Sequence, residues 1–240
     1  MRVCVINFSG NVGKTTIAAN LLKPRLAAEL FSVESLNQDA TGDGVEAQRL
    51  RAQRFGELQR QVLQLESVVV DVGSSNVEMF LEMMKRYAGS HEDYDVFVIP
   101  TVKDRKQTVD TLNTIEALRS MGVGCDRIKV VFNRVDPDDE LTEAFAPLFG
   151  LAVQEHLRLD ARAVLHRNEV FDLIKDHDQC LAEVIADPTD HRALMAQETT
   201  AEGKEARLTR LTIKRLATTC ARNMDQAFAA LFPAHRLAAT

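Results

Sequence analysis

Five short apolar runs stand out along the first part of the chain: "MRVCVIN" (1–7), "FSVESL" (31–36), "SVVVDVG" (67–73), "YDVFVIP" (94–100) and "RIKVVFN" (127–133). Each is short and rich in β-branched or aromatic residues, so each is predicted to be a strand. Between them lie segments with apolar residues at helical spacing, such as Thr15 to Leu30 and 105–121. A sixth, weaker strand is predicted at 151–155. Strands that alternate with helices imply a three-layer α/β fold with a mainly parallel central sheet and helices on both faces. The near-continuous hydrophobicity of the runs is what a sheet covered on both sides requires.

From about residue 160 the strand signal stops and the chain reads as helices, with a polar break at "ADPTDHRALMAQETTAEGKE" (186–205). We therefore expect an α/β domain over 1–185 and a helical C-terminal extension over 186–240, packed on the same domain. The last helix, about 204–231, puts Ile213, Leu216, Ala217, Cys220, Met224, Ala227, Phe228 and Leu231 on one stripe, with Arg207, Arg210 and Lys214 on another. The favoured reading packs that stripe on the domain and leaves the charges solvated. Direct DNA contact through Arg207, Arg210 and Lys214, joined by Arg215 and Arg222, is a second reading, and a membrane-surface helix is the least favoured.

Composition narrows the picture without naming a partner. The 240 residues are 45% apolar, with a net charge of -6, so any nucleic-acid contact needs a local basic patch. The four cysteines, Cys4, Cys125, Cys180 and Cys220, are scattered with no C-x-x-C pair, which fits reduced thiols in a cytoplasm and suggests neither a zinc site nor a disulfide framework. No stretch approaches the ~20 apolar residues of a membrane span.

The candidate chemistry lies in "FSGNVGKTT" (8–16), which follows the first predicted strand and opens the first predicted helix. A loop so placed can bind phosphate, because its free amides and the helix dipole converge on one point. Gly10 and Gly13 supply positions where the backbone needs freedom, and Asn11 is the next-best residue for a left-handed conformation. Lys14 would reach the β- and γ-phosphates of a nucleotide and the Thr15 hydroxyl would bind Mg²⁺. Asp71 ends the run "VVV", where a buried acid is costly unless it meets an ion or a donor.

Four ordered motifs resemble the deviant-Walker ATPases of the ParA/MinD type, and most closely the StbB-like plasmid stability proteins. They are "SGNVGKTT", "SLNQDATGD" (35–43), "VVVDVGSS" (68–75) and "VVFNRVD" (130–136), spread over about residues 1–175. The resemblance implies a P-loop NTPase fold binding ATP or ADP with Mg²⁺. It places Gly10, Asn11, Val12, Gly13, Lys14, Thr15 and Thr16 around the phosphates, Thr15 on the metal, Asp71 on a metal-bound water and Asn133 against the adenine. It also gives Lys14 and Asp39 the catalytic roles, Asp39 orienting the attacking water, with Asp43 as a nearby competitor.

The family's signature lysine is replaced by Ser9 and the first aspartate of its second motif by Asn37. Loss of a transition-state cation can cost ~10³ to 10⁵ in rate, so slow turnover is expected unless a base from "VKDRK" (102–106), namely Lys103, Arg105 or Lys106, takes its place. The functional expectation is a ParA-like ATPase switch for plasmid stability or segregation, linked to conjugative transfer. It would work as a nucleotide-dependent homodimer with a DNA-bound partner protein. The rival is a nucleotide-dependent protein-binding module with little or no turnover, and a metabolic enzyme of related fold is a third class with no motif behind it.

Overall fold

Residues 1–33, 48–50, 55–176 and 180–234 are described by the computed structural model. Their strands are β1 (Arg2–Val5), β2 (Glu29–Val33), β3 (Gln48–Leu50), β4 (Val68–Val72), β5 (Val96–Thr101), β6 (Ile128–Val135) and β7 (Val164–His166). These form one seven-stranded sheet in the order β3-β2-β4-β1-β5-β6-β7, and every neighbouring pair is parallel. Parallel neighbours need crossover segments, which here are helices on both faces. The helices are α1 (Lys14–Thr16), α2 (Lys23–Leu26), α3 (Phe55–Gln64), α4 (Val77–Arg86), α5 (Arg105–Ser120), α6 (Leu141–Ala144), α7 (Ala146–Glu155), α8 (Val170–Asp176), α9 (Leu181–Ala186), α10 (His191–Gln197) and α11 (Ala201–Leu231).

Side-chain alternation divides the core into two layers. Cys4 and Ile6, Val68, Val70 and Val72, and Phe97 and Ile99 face one layer with Phe55, Phe80, Leu118 and Phe145. Val3 and Val5, Val69, and Val96 and Val98 face the other with Ile17, Leu22, Ile213, Met224 and Phe228. This two-sided burial explains why the sequence runs are apolar throughout rather than alternating.

The first helix is shorter than its sequence period suggests. A π-helical turn (Ile17–Leu22) joins α1 to α2, and Ala27 ends the helix with a φ of 47°. Leu30 therefore belongs to β2. Pro24 carries no N–H for the carbonyl four residues back. The Arg25 guanidinium supplies the missing donor, reaching the Asn20 carbonyl at 2.9 Å and that of Leu21 at 3.1 Å. The same side chain pairs with Asp225 at 2.7 Å and donates to the Ala221 carbonyl at 3.2 Å, tying this helix to α11.

Two strand expectations are corrected. Residues 151–155 are the end of helix α7, which starts with Pro147 in its first turn and stops at His156 with a φ of 55°. A short apolar run cannot by itself separate a strand from a helix. The edge strand is β7 instead, in the stretch past residue 160 that carried no strand signal; it spans 3 residues, too few to show a period. Strand β3, also 3 residues, was likewise unread.

The 31-residue helix α11 packs along the second layer through Ile213, Ala217, Cys220, Met224, Ala227, Phe228 and Leu231, all buried as its stripe predicts. Leu216 is partly buried beside them. Lys214 donates to the backbone carbonyls of Asp187 and Thr189, so this charge fastens the loop between α9 and α10. Arg207 and Arg210 are half-buried.

If α11 is integral to the domain, Phe228→Ala, which empties a fully buried ring site whose centroid lies 4.9 Å from that of the tilted Phe232 ring, should lower unfolding free energy by about 3–5 kcal/mol in a urea titration while the transition stays single. A loss under ~1 kcal/mol would show a peripheral helix.

Candidate phosphate-binding site

The loop between β1 and α1 is built outward from Asn7, which is fully buried at the end of the first apolar run. Its side-chain amide donates to the Pro100 carbonyl and to the Thr111 hydroxyl, both at 2.8 Å, and its carbonyl oxygen accepts the Ser9 amide at 2.8 Å. One residue on, the Phe8 amide donates to the Thr114 hydroxyl at 3.1 Å. Thr111 also donates to the Gln107 carbonyl at 2.7 Å and is hydrogen-bonded to the Thr101 hydroxyl at 3.0 Å. A buried polar network satisfied to this degree rigidifies the backbone that carries it. The incoming limb of the loop is therefore clamped to β5 and α5.

Beyond Ser9 the chain turns through two left-handed residues, Asn11 with a φ of 58° and Gly13 with a φ of 88°. Asparagine tolerates that region better than most side chains, so Asn11 fits where glycine was expected. Gly13 has a second reason to lack a side chain, since a Cβ there would lie 2.3 Å from Nδ2 of Asn133. Val12 is buried between these turns, and its carbonyl accepts a 2.9 Å hydrogen bond from the Asn133 side chain. Strand β6 thus braces the outgoing limb. Among the described residues, the amides of Gly10, Asn11, Val12 and Gly13 donate no hydrogen bond, and they crown the start of a helix, which is the donor set an anion needs.

Lys14 is buried inside the loop, 7% exposed, and its ammonium donates to the carbonyls of Ser9 at 2.6 Å and Asn7 at 3.1 Å. Burial lowers its pKa to about 8, and the negative charge of Asp71 opposes that shift. Next to it, the Thr15 hydroxyl donates to Oδ2 of Asp71 at 2.7 Å. Asp71 is 2% exposed and sits in β4, in register with Val5 of β1, so the sheet itself brings the acid beside the loop. The residues fit a nucleotide–metal group: free amides and a lysine for phosphate, and a hydroxyl and a carboxylate, hard oxygen donors, for Mg²⁺.

The sequence-named residues fall into three groups. Gly10, Asn11, Val12, Gly13, Lys14, Thr15 and Thr16 form one continuous loop and helix start; Asp71 and Asn133 are brought to it from 2.7 and 2.9 Å contacts. Asp39, with Asn37 and Asp43, lies outside the described residues. Ser9 is 3% exposed and held by its own backbone contacts, so the side chain at the signature position does not project outward. Lys103, one suggested substitute, is instead paired with Asp136 at 2.8 Å and Asp139 at 2.9 Å, while Arg105 and Lys106 stand exposed on the first turn of α5.

Sequence reasoning missed Asn7, Thr101, Thr111 and Thr114. A signal existed in the threonines at 108, 111 and 114, whose spacing of three puts them on one face of α5, and all are buried.

The Lys14 shift gives a pH test with a fixed sign. Its folded pKa of about 8 lies below the ordinary lysine value of 10.5, so between those limits the unfolded chain holds more protons and this group's contribution to stability rises with pH. Wild type should therefore gain on Lys14→Met in unfolding free energy from pH 8 to 10.5, measured by paired urea titrations. A flat difference over that window would contradict a buried ammonium.

No protein-family model matches the chain, and no curated protein matches it. Solved structures do. A chain of the MinC:MinD cell division protein complex of Aquifex aeolicus superposes with a TM-score of 0.52 at 12% identity, covering 90% of this chain and 95% of that one. A ParA family ATPase from Chlorobium tepidum gives 0.52 at 12% identity, covering 90% and 97%. At such identities the likeness is one of fold, and the fold of this chain is that of the ParA/MinD-type P-loop ATPases.

Proposed function

We propose that the chain is an ATP-binding, slowly ATP-hydrolysing ParA-like switch protein that serves plasmid stability or segregation, linked to conjugative transfer, and acts as a nucleotide-dependent homodimer with a DNA-bound partner. The observation that carries the nucleotide reading is the convergence of Lys14, Thr15 and Asp71 on a loop whose amides are free. The plasmid role rests on the StbB-like resemblance of the four motifs.

In this reading the ammonium of Lys14 leaves the Asn7 and Ser9 carbonyls for phosphate oxygens, a move of one side chain within a fixed loop. Thr15 would exchange its bond to Asp71 for Mg²⁺, and Asp71 would help hold the metal through water. Mg²⁺ would supply charge neutralisation across the phosphates. Thr16 would contact the α-phosphate, and Asp39 would orient the attacking water. Bound nucleotide then biases one conformation or assembly state, and hydrolysis resets it.

Ser9 favours the second reading, a nucleotide-dependent protein-binding module with little turnover, because its buried side chain offers no charge to a neighbouring copy. Steady-state hydrolysis and equilibrium ATP binding of wild type, Lys14→Ala and Asp39→Ala, with and without plasmid DNA, separate the two. The switch reading expects Lys14→Ala to weaken binding at least about tenfold, by loss of a charge-assisted contact. It expects Asp39→Ala to bind ATP but lose turnover. Tight binding with no hydrolysis above the Lys14→Ala background leaves the binding module.

A further inference from the structure

Lys14 is the one cation built into the loop, while a triphosphate brings several negative charges. The other basic residues near this edge of the sheet are largely committed. Lys103 pairs with Asp136 and Asp139, Arg167 pairs with Asp136 at 2.9 Å, and Arg162 pairs with Asp160 at 2.6 Å. Arg134, like Arg105 and Lys106 at the start of α5, is exposed and among the described residues has no ion pair.

Its backbone is unusual as well. Arg134 has a φ of 55°, a left-handed conformation that costs a non-glycine residue roughly 1–2 kcal/mol. It is also the extra residue of a bulge, since Asn133 pairs with Leu165 and Val135 with His166 while Arg134 pairs with neither. Bulges of this kind turn a side chain away from the direction the ladder would give it, and they recur beside active sites. The residue that holds the bulge is the one that braces the loop: Asn133 accepts the Arg134 amide at 2.9 Å and donates to the Val12 carbonyl at 2.9 Å. Both polar ends of Asn133 are thereby engaged by backbone.

We propose that Arg134, fixed one residue from the strut on the phosphate loop, is the cation this chain presents to bound nucleotide in place of one at Ser9. The inference rests on the ATP-binding reading above. Asn133 then acts as a positioning residue that sets loop and arginine together, and Arg134 supplies charge from within the same chain.

The test is calorimetric binding of ATP with Mg²⁺ to wild type, Arg134→Gly, Arg134→Asn, Arg134→Lys, Arg105→Ala and Lys14→Ala, with thermal melting of each. Glycine and asparagine both accept the left-handed backbone, so the two uncharged variants should melt at or above wild type. They should nevertheless bind ATP about tenfold more weakly, as expected for a lost charge-assisted contact. Arg134→Lys should stay within about threefold of wild type, and Arg105→Ala should be neutral. Uncharged variants that bind as tightly as wild type while Lys14→Ala is impaired would overturn the role of Arg134 alone. A wild type that binds no ATP would overturn the nucleotide reading and this inference with it.

Discussion

A buried ammonium surrounded by the carbonyls of its own loop is the constraint on which the site depends. Lys14 is charged at neutral pH in a place that strips most of its water, and the carbonyls of Asn7 and Ser9 with the nearby Asp71 carboxylate are what make that tolerable. Those carbonyls point inward only because the chain before them is clamped. Asn7 spans β5 and α5 with its side chain, and Thr114 catches the next amide. The amides of Gly10 to Gly13 are left without hydrogen-bond partners among the described residues.

The clamp also explains why Ser9 is an acceptable residue where the resembled motif has a lysine. Its amide and carbonyl are both used in holding the loop, and its side chain is buried. The loop is a cradle closed on the side of β1 and β5 and braced on the other by Asn133 of β6. Three strands, β4, β1 and β6, contribute Asp71, the loop itself and its brace, and the parallel register of β1 with β4 fixes the first two. Folding of the sheet and assembly of the site are thus one event. Helix α11 adds to this from behind, through the Arg25 bonds that tie it to the helix leaving the loop.

The sequence was most readable where a local pattern carried the physics. Four-residue and longer apolar runs gave β1, β2, β4, β5 and β6, the glycine–lysine–threonine turn gave the loop between β1 and α1, and the acid after "VVV" gave Asp71 beside it. It was least readable where length or distance defeated pattern. β3 and β7 are too short to show a period, and Leu151 to Val153 is apolar without being extended. Asn7 and the threonines of α5 are polar residues whose importance comes from meeting across about a hundred positions of chain, which no window of sequence displays. The segment with Asn37 and Asp39 falls outside the described residues, so the water-orienting role of Asp39 stays a proposal.

The most direct test of the central claim, that residues 7–16 form a preorganised nucleotide-phosphate cradle, is backbone amide NMR of the chain titrated with a non-hydrolysable ATP analogue and Mg²⁺. The amides of Gly10 to Thr16 should shift strongly and saturably, while those of Phe8 and Ser9, held by Thr114 and Asn7, should keep their hydrogen-exchange protection. Saturable shifts confined to other parts of the surface, with the loop amides unmoved, would contradict it.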